Sequence, residues 1–116
     1  MKNENVVLDK SKAFAIRIVK LYQFLTSEKK EFILSKQVLK SGTSIGANVR
    51  EAIRGQSKAD FYSKMSIALK EASETEYWLE LLHETGYIDD IPFESVYSDC
   101  NELNRLLIAI TRTQNE

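Results

Sequence analysis

The chain has 116 residues, a formal net charge of −1, 43% hydrophobic residues, one cysteine (Cys100) and one proline (Pro92). This length supports one core without a disulfide or structural metal, and the lone cysteine excludes an internal disulfide and fits a reducing, cytoplasmic setting. The N-terminal "MKNENVVLDKSKAF" lacks a signal-peptide core and no later run approaches the roughly 20 apolar residues of a membrane span, so a soluble protein with no membrane partner is expected.

With four glycines and one proline, the chain has little of the turn punctuation that an all-β fold needs. The spacing Val7, Phe14, Ile18, Leu21, Leu25 predicts a first helix over about residues 6–25, widened by Ala15, Val19 and Tyr22 and closed by "TSEKKE". A second helix over about 32–54 carries Leu34, Val38, Ile45 and Ala52 on one stripe. Leu39, Gly42, Gly46, Val49 and Ile53 lie on the stripe beside it. Gly55 is expected to cap this helix in a positive-φ conformation. Ser57 is the N-cap candidate for the third helix, with Asp60 in the capping-box position.

The third helix, over about 58–85, has the seam Phe61, Met65, Ala68, Ala72, Thr75, Leu79, Leu82, whose four-three alternation suits antiparallel packing. Gly86 offers its C-cap. Asp89 or Asp90 can cap the fourth helix, over about 91–112, and Pro92 falls in its first turn, where a missing N–H is harmless. Its seam is Phe93, Val96, Cys100, Leu103, Leu107, Ile110. Short connections make successive helices antiparallel neighbours, so the expected fold is all-α: a single-domain, antiparallel up-down four-helix bundle over residues 1–116.

Gly42 and Gly46 each cost about 1 kcal/mol against alanine inside a helix. They sit on adjacent turns of one edge, near Ser41 and Ala47, which marks a surface for close helix packing within the bundle or between subunits. An anion site in "SGTSIG" is disfavoured, because the stretch lacks the strand-loop-helix context and the Lys-Ser/Thr ending of a phosphate loop.

The run "SGTSIGANVREAIRGQSKADFYSKMSIALKEASETEYWLELLHETGYI", residues 41–88, resembles the small four-helix-bundle proteins encoded by intervening sequences of bacterial 23S ribosomal RNA genes. The resemblance is carried by Ser44-Ile45, Asn48 and Glu51, by Ser57, the alanine-rich seam, Glu74 and Glu76, and by Gly86-Tyr87-Ile88. It implies a homopentameric ring of bundles. The accessory variability protein of diversity-generating retroelements, which is related in fold, works with a reverse transcriptase and nucleic acid. For most members of the family the biochemical function is not established.

Charge is unevenly distributed: residues 1–56 hold eleven Lys and Arg against five Asp and Glu, and residues 57–116 hold five against twelve. The two halves either complement each other within or between bundles, or provide a basic face for nucleic acid. At about 100° per residue, Lys36, Lys40, Arg50 and Arg54 share a narrow arc of the second helix opposite its apolar seam, with small Thr43 and Ala47 between them. That stripe can be simply solvated, can dock on acidic residues such as Glu76, Glu80 and Glu84 of the same or another subunit, or can contact RNA or DNA phosphates.

Trp78, Ile67 and Leu81 form a second apolar stripe about 100° from the third helix's seam, which suits an oligomer interface or a widened core. Glu80-Leu-Leu-His83 matches the Glu-x-x-His element of di-iron bundles. His83 is the only histidine, so one chain cannot supply the second element that such a centre needs; Glu80 and His83 are read as surface or interface residues. Asn48 is expected to make a structural hydrogen bond, and Cys100 to be an inert core residue. With no catalytic constellation, metal cluster or cofactor motif, the expectation is a non-enzymatic oligomeric module. Its partners would be other copies of itself, RNA or DNA, or another protein.

Overall fold

Four stretches with three-and-four apolar spacing form four helices, because each must bury one face and none can do so alone. The computed structural model describes residues 2–115. It contains α1 (Lys2–Ser27), α2 (Leu34–Ile53), α3 (Lys58–Glu84) and α4 (Asp90–Arg112), followed by a short 3-10 turn at Thr113–Asn115. No strand occurs among the described residues. Each helix packs on its neighbour in the chain, and α4 closes the square against α1. The result is an antiparallel up-down bundle 45 Å long.

The seams converge on one core. Val7, Phe14, Ile18 and Leu25 come from α1, and Val38, Ile45, Val49 and Ala52 from α2. Met65, Ala68, Ala72, Leu79 and Leu82 of α3 meet Val96, Cys100, Leu103, Leu107 and Ile110 of α4. The expected seam residues Leu21, Leu34, Phe61 and Phe93 are only partly buried and pack on the rim of this core. Tyr62 is buried beside Phe61, and its hydroxyl lies 2.5 Å from Thr113 Oγ1, tying the start of α3 to the end of α4.

Polar atoms inside the bundle are paired, as burial requires. Thr75 Oγ1 lies 2.9 Å from Ser41 Oγ and 2.7 Å from the Glu71 carbonyl oxygen, which fixes the register of α2 against α3. Ser73 Oγ donates to Asn104 Oδ1 at 3.2 Å across α3 and α4. Cys100 Sγ donates to the Ala72 carbonyl at 3.4 Å. Burial, reinforced by the charges of Glu76 and Asp99, pushes this thiol well above the ordinary cysteine range and keeps it protonated.

Three helix ends depart from the sequence expectation, the first being the start of α1, at Lys2 rather than about residue 6. α2 begins at Leu34 rather than Phe32 because Glu31 caps it from outside: its carboxylate accepts from the backbone N–H of Ile33 at 3.2 Å, Leu34 at 3.0 Å and Ser35 at 2.6 Å. Burial alone would raise the Glu31 carboxyl, but the donations from Leu34, Ser35 and Ile33 outweigh it and hold it below the ordinary glutamate value. Phe32 and Ile33 are left exposed in the connection. At the other end of α2, Gly55 does not take a positive φ. What restricts Gly55 is space, since a β-carbon there would lie 3.1 Å from the Ala52 carbonyl oxygen and 3.2 Å from Asp60 Cβ.

The remaining caps follow their residue types. Ser57 Oγ accepts from the Asp60 N–H at 3.0 Å to open α3. Gly86, with φ +87°, closes it: Tyr87 N–H donates to the Leu82 carbonyl and Gly86 N–H to that of His83, the paired bonds of a Schellman cap. Asp89 occupies the N-cap of α4 without a side-chain capping bond.

Candidate nucleic-acid interface

The edge of α2 that lacks bulk faces α1. A β-carbon at Gly42 would lie 2.8 Å from Ile18 Cγ1, and one at Gly46 would lie 3.3 Å from the Ser11 carbonyl oxygen. This close approach sets the position of the basic arc, because the solvent side of α2 is whatever α1 and α3 leave uncovered. Lys36, Lys40, Arg50 and Arg54 are all exposed, as is Ala47, and Thr43 is half-buried. Among the described residues none of the four cations makes an ion pair or a side-chain hydrogen bond. Lys40 does lie near Glu71, where its charge opposes the upward push that burial and neighbouring Glu74 exert on that carboxyl.

Between the first half of α1, the second half of α2 and the start of α3 runs a groove of about 850 Å³. Thr43, Gly46 and Ala47 supply part of its lining, and Arg50 and Arg54 project into it with Lys12 of α1 and Lys64 of α3. Two carboxylates, Glu51 and Asp60, share the lining, and Glu51 Oε1 pairs with Lys64 Nζ at 3.3 Å. The groove therefore carries more positive than negative charge. Lys36 and Lys40 lie outside it, further along the same face of α2.

Lys12 and Lys64 were not legible from α2 alone. The signal that could have found Lys12 is register: Ser11 lies opposite Gly46, and the next residue of α1 lines the same groove as Arg50 and Arg54. Two of the acidic residues considered as partners for the stripe, Glu76 and Glu80, are engaged elsewhere. Glu80 Oε2 accepts from Tyr97 Oη at 2.6 Å, and Glu76 Oε2 accepts from Asn101 Nδ2 at 3.2 Å, so within one chain both turn toward α4. The bond to Glu80, followed by burial and by nearby Glu76, holds the Tyr97 phenol above its ordinary range. Glu84 is exposed.

The other flagged residues have defined surroundings. Trp78 is half-buried against the core rim, donates from Nε1 to Glu74 Oε2 at 3.0 Å and meets Tyr77 edge-on at a centroid distance of 5.1 Å. Leu81 is half-buried, while Ile67 and Tyr77 are exposed. His83 Nε2 lies 2.7 Å from Asp90 Oδ1 and its ring stacks on Phe93 at 4.0 Å. Asn48 Nδ2 donates to the Ser44 carbonyl at 2.8 Å. Among the described residues, no group of three or more His, Cys, Asp or Glu side chains is arranged to hold a metal, and no helix is long and apolar enough to cross a membrane.

A profile of the 23S rRNA-intervening sequence protein family matches residues 3–109. The chain is similar to a crystallised protein of unknown function from Bacteroides thetaiotaomicron, of the S23 ribosomal protein family. The two share 61% identity over 95% of this chain and 98% of the other, with a TM-score of 0.93. No curated protein matches. With helices, seam and glycine edge in place over almost its whole length, the chain belongs to the 23S rRNA-intervening sequence protein family.

Proposed function

We propose that this protein is a non-enzymatic, cytoplasmic, homo-oligomeric accessory module that contacts nucleic acid through the basic face of α2. The observation that carries this reading is that Lys36, Lys40, Arg50 and Arg54 are exposed together with no intramolecular ion pair among the described residues. Lys12 adds a further cation to the groove that Arg50 and Arg54 line. Cations not held in internal ion pairs are available to displace the counterions of a polyphosphate. Assembly into a ring of five is the arrangement that the family resemblance implies. The partly exposed side of α3, with Ile67, Trp78 and Leu81, is the surface proposed to join the subunits.

The test is fluorescence anisotropy of labelled structured RNA, and separately DNA, with the purified oligomer across a salt series. Four neutralised phosphates per subunit correspond to a fall of log K with log salt of slope about −3 to −4. Changing Lys36, Lys40, Arg50 and Arg54 together to Gln, at unchanged oligomer mass, is expected to abolish that binding. Absence of binding by the parent protein at low salt would overturn the reading in favour of a protein-only scaffold, whose basic face meets acidic residues of a neighbouring subunit or partner protein.

A further inference from the structure

The cations of α2 are not evenly spaced. Lys36 and Lys40 form one pair and Arg50 and Arg54 another, and the pair midpoints are separated by about 21 Å at 1.5 Å per residue. Between the pairs, the same arc of the helix presents only Thr43 and Ala47, which add little bulk. Resting on the nucleic-acid reading above, the geometry points to a double-helical ligand that lies across α2, each cation pair taking one of the two phosphate rows that border a groove.

The spacing carries the argument. The major groove of a DNA duplex is roughly 12 Å wide between its rims. The phosphate groups on each rim, and the reach of Lys and Arg side chains, bridge the rest of the 21 Å. In an RNA duplex the equivalent surface is the wide, shallow minor groove, over which a helix with a low-bulk middle can rest without inserting anything. A single strand running along α2 would instead cross about 15 Å between Lys40 and Arg50 with no cation of α2 beneath its phosphates.

Side-chain chemistry agrees with the spacing. Proteins that hold single strands combine a cationic track with aromatic platforms on which bases stack. No aromatic residue lines the groove beside Arg50 and Arg54, and none lies between the two cation pairs. Exposed Phe32 precedes the first turn of α2, outside the span between the pairs. With the aromatic contribution missing, phosphate rows are what this face can recognise. Lys12 extends the contact on the α1 side, while Glu51 is engaged with Lys64 of α3.

The experiment compares the intact oligomer's affinity for four labelled probes: RNA and DNA duplexes of two helical turns, and oligo-U and oligo-dT of the same strand length. Both duplexes, or either one, are expected to bind on the order of tenfold more tightly than the single strands. Replacing one pair, Lys36→Gln with Lys40→Gln or Arg50→Gln with Arg54→Gln, is expected to lower the magnitude of the duplex salt slope by about 2 in each case. Single strands bound as tightly as duplexes would overturn the duplex proposal while leaving nucleic-acid binding intact. A slope altered by only one of the two pairs would overturn the two-row arrangement. Failure to bind any probe would remove the underlying reading as well.

Discussion

Gly42 of α2 lies so close to Ile18 of α1 that a β-carbon at Gly42 would stand 2.8 Å from Ile18 Cγ1 and 2.9 Å from Cγ2. Ile18 is fully buried, so it has little room to yield. Gly42→Ala should therefore destabilise the bundle by about 1–3 kcal/mol through overpacking, despite the gain of about 1 kcal/mol in helix propensity. Gly46→Ala, whose nearest contact would be 3.3 Å, should cost less. Thermal unfolding followed by circular dichroism ranks the two, and an equal or smaller loss for Gly42→Ala would show slack between α1 and α2.

Lys30 is the one non-glycine residue with positive φ among the described residues, at 54°. A side chain in this left-handed region costs roughly 1–2 kcal/mol, part of which glycine returns as lost chain entropy. Lys30→Gly is expected to stabilise the protein by about 0.5–1 kcal/mol and raise Tm by a few degrees. A lower Tm would mean that the Lys30 side chain makes a compensating contribution to the connection.

Glu31 replaces the missing hydroxyl or amide cap of α2. Its carboxyl is held below the ordinary glutamate value in the folded chain, so the native state binds fewer protons there than the unfolded state. The contribution is complete above the unfolded value and is lost as pH falls through the folded one. Glu31→Gln should cost about 0.5–2 kcal/mol at neutral pH, the usual range for a lost cap. It should also flatten the dependence of Tm on pH on the acid side; a variant with unchanged acid sensitivity would assign that sensitivity to other carboxylates.

The proposed subunit interface can be tested apart from folding. Ile67 is 38% exposed, whereas Trp78 also packs on the core rim and bonds Glu74. Ile67→Glu should therefore lower the oligomer mass seen by light scattering at little cost in helical content, since an unpaired charge in an apolar interface is strongly unfavourable. Trp78→Ala should lower both mass and Tm. Unchanged mass in both variants would move the interface away from this side of α3.

Periodicity made the four helices and most of the core legible, because burial of one face imposes a spacing that the chain carries in its own order. Val38, Ile45 and Ala52, or Met65, Ala68, Ala72, Leu79 and Leu82, could be assigned to the core without knowing what they touch. The same reasoning placed Lys36, Lys40, Arg50 and Arg54 on one arc of α2. Helix ends were less legible where a side chain outside the helix does the capping: Glu31 matches no cap preference by residue type, and its role depends on the backbone bending to bring three N–H groups to it.

The sequence by itself determined the helices, their apolar faces and the cationic stripe, since each is a relation among residues on one helical axis. Tertiary structure alone decided which residues of different helices meet. Close approach at Gly42 and Gly46 sets the position of α1 against α2, the Ser41–Thr75 contact sets α3, and together they bring Lys12 and Lys64 to the groove beside Arg50 and Arg54. They also leave Glu76 and Glu80 to Asn101 and Tyr97 of α4. The physical reason is that helical period fixes the angle of a side chain about its own axis, while register between helices is set by which bulky and small residues can interlock across the contact.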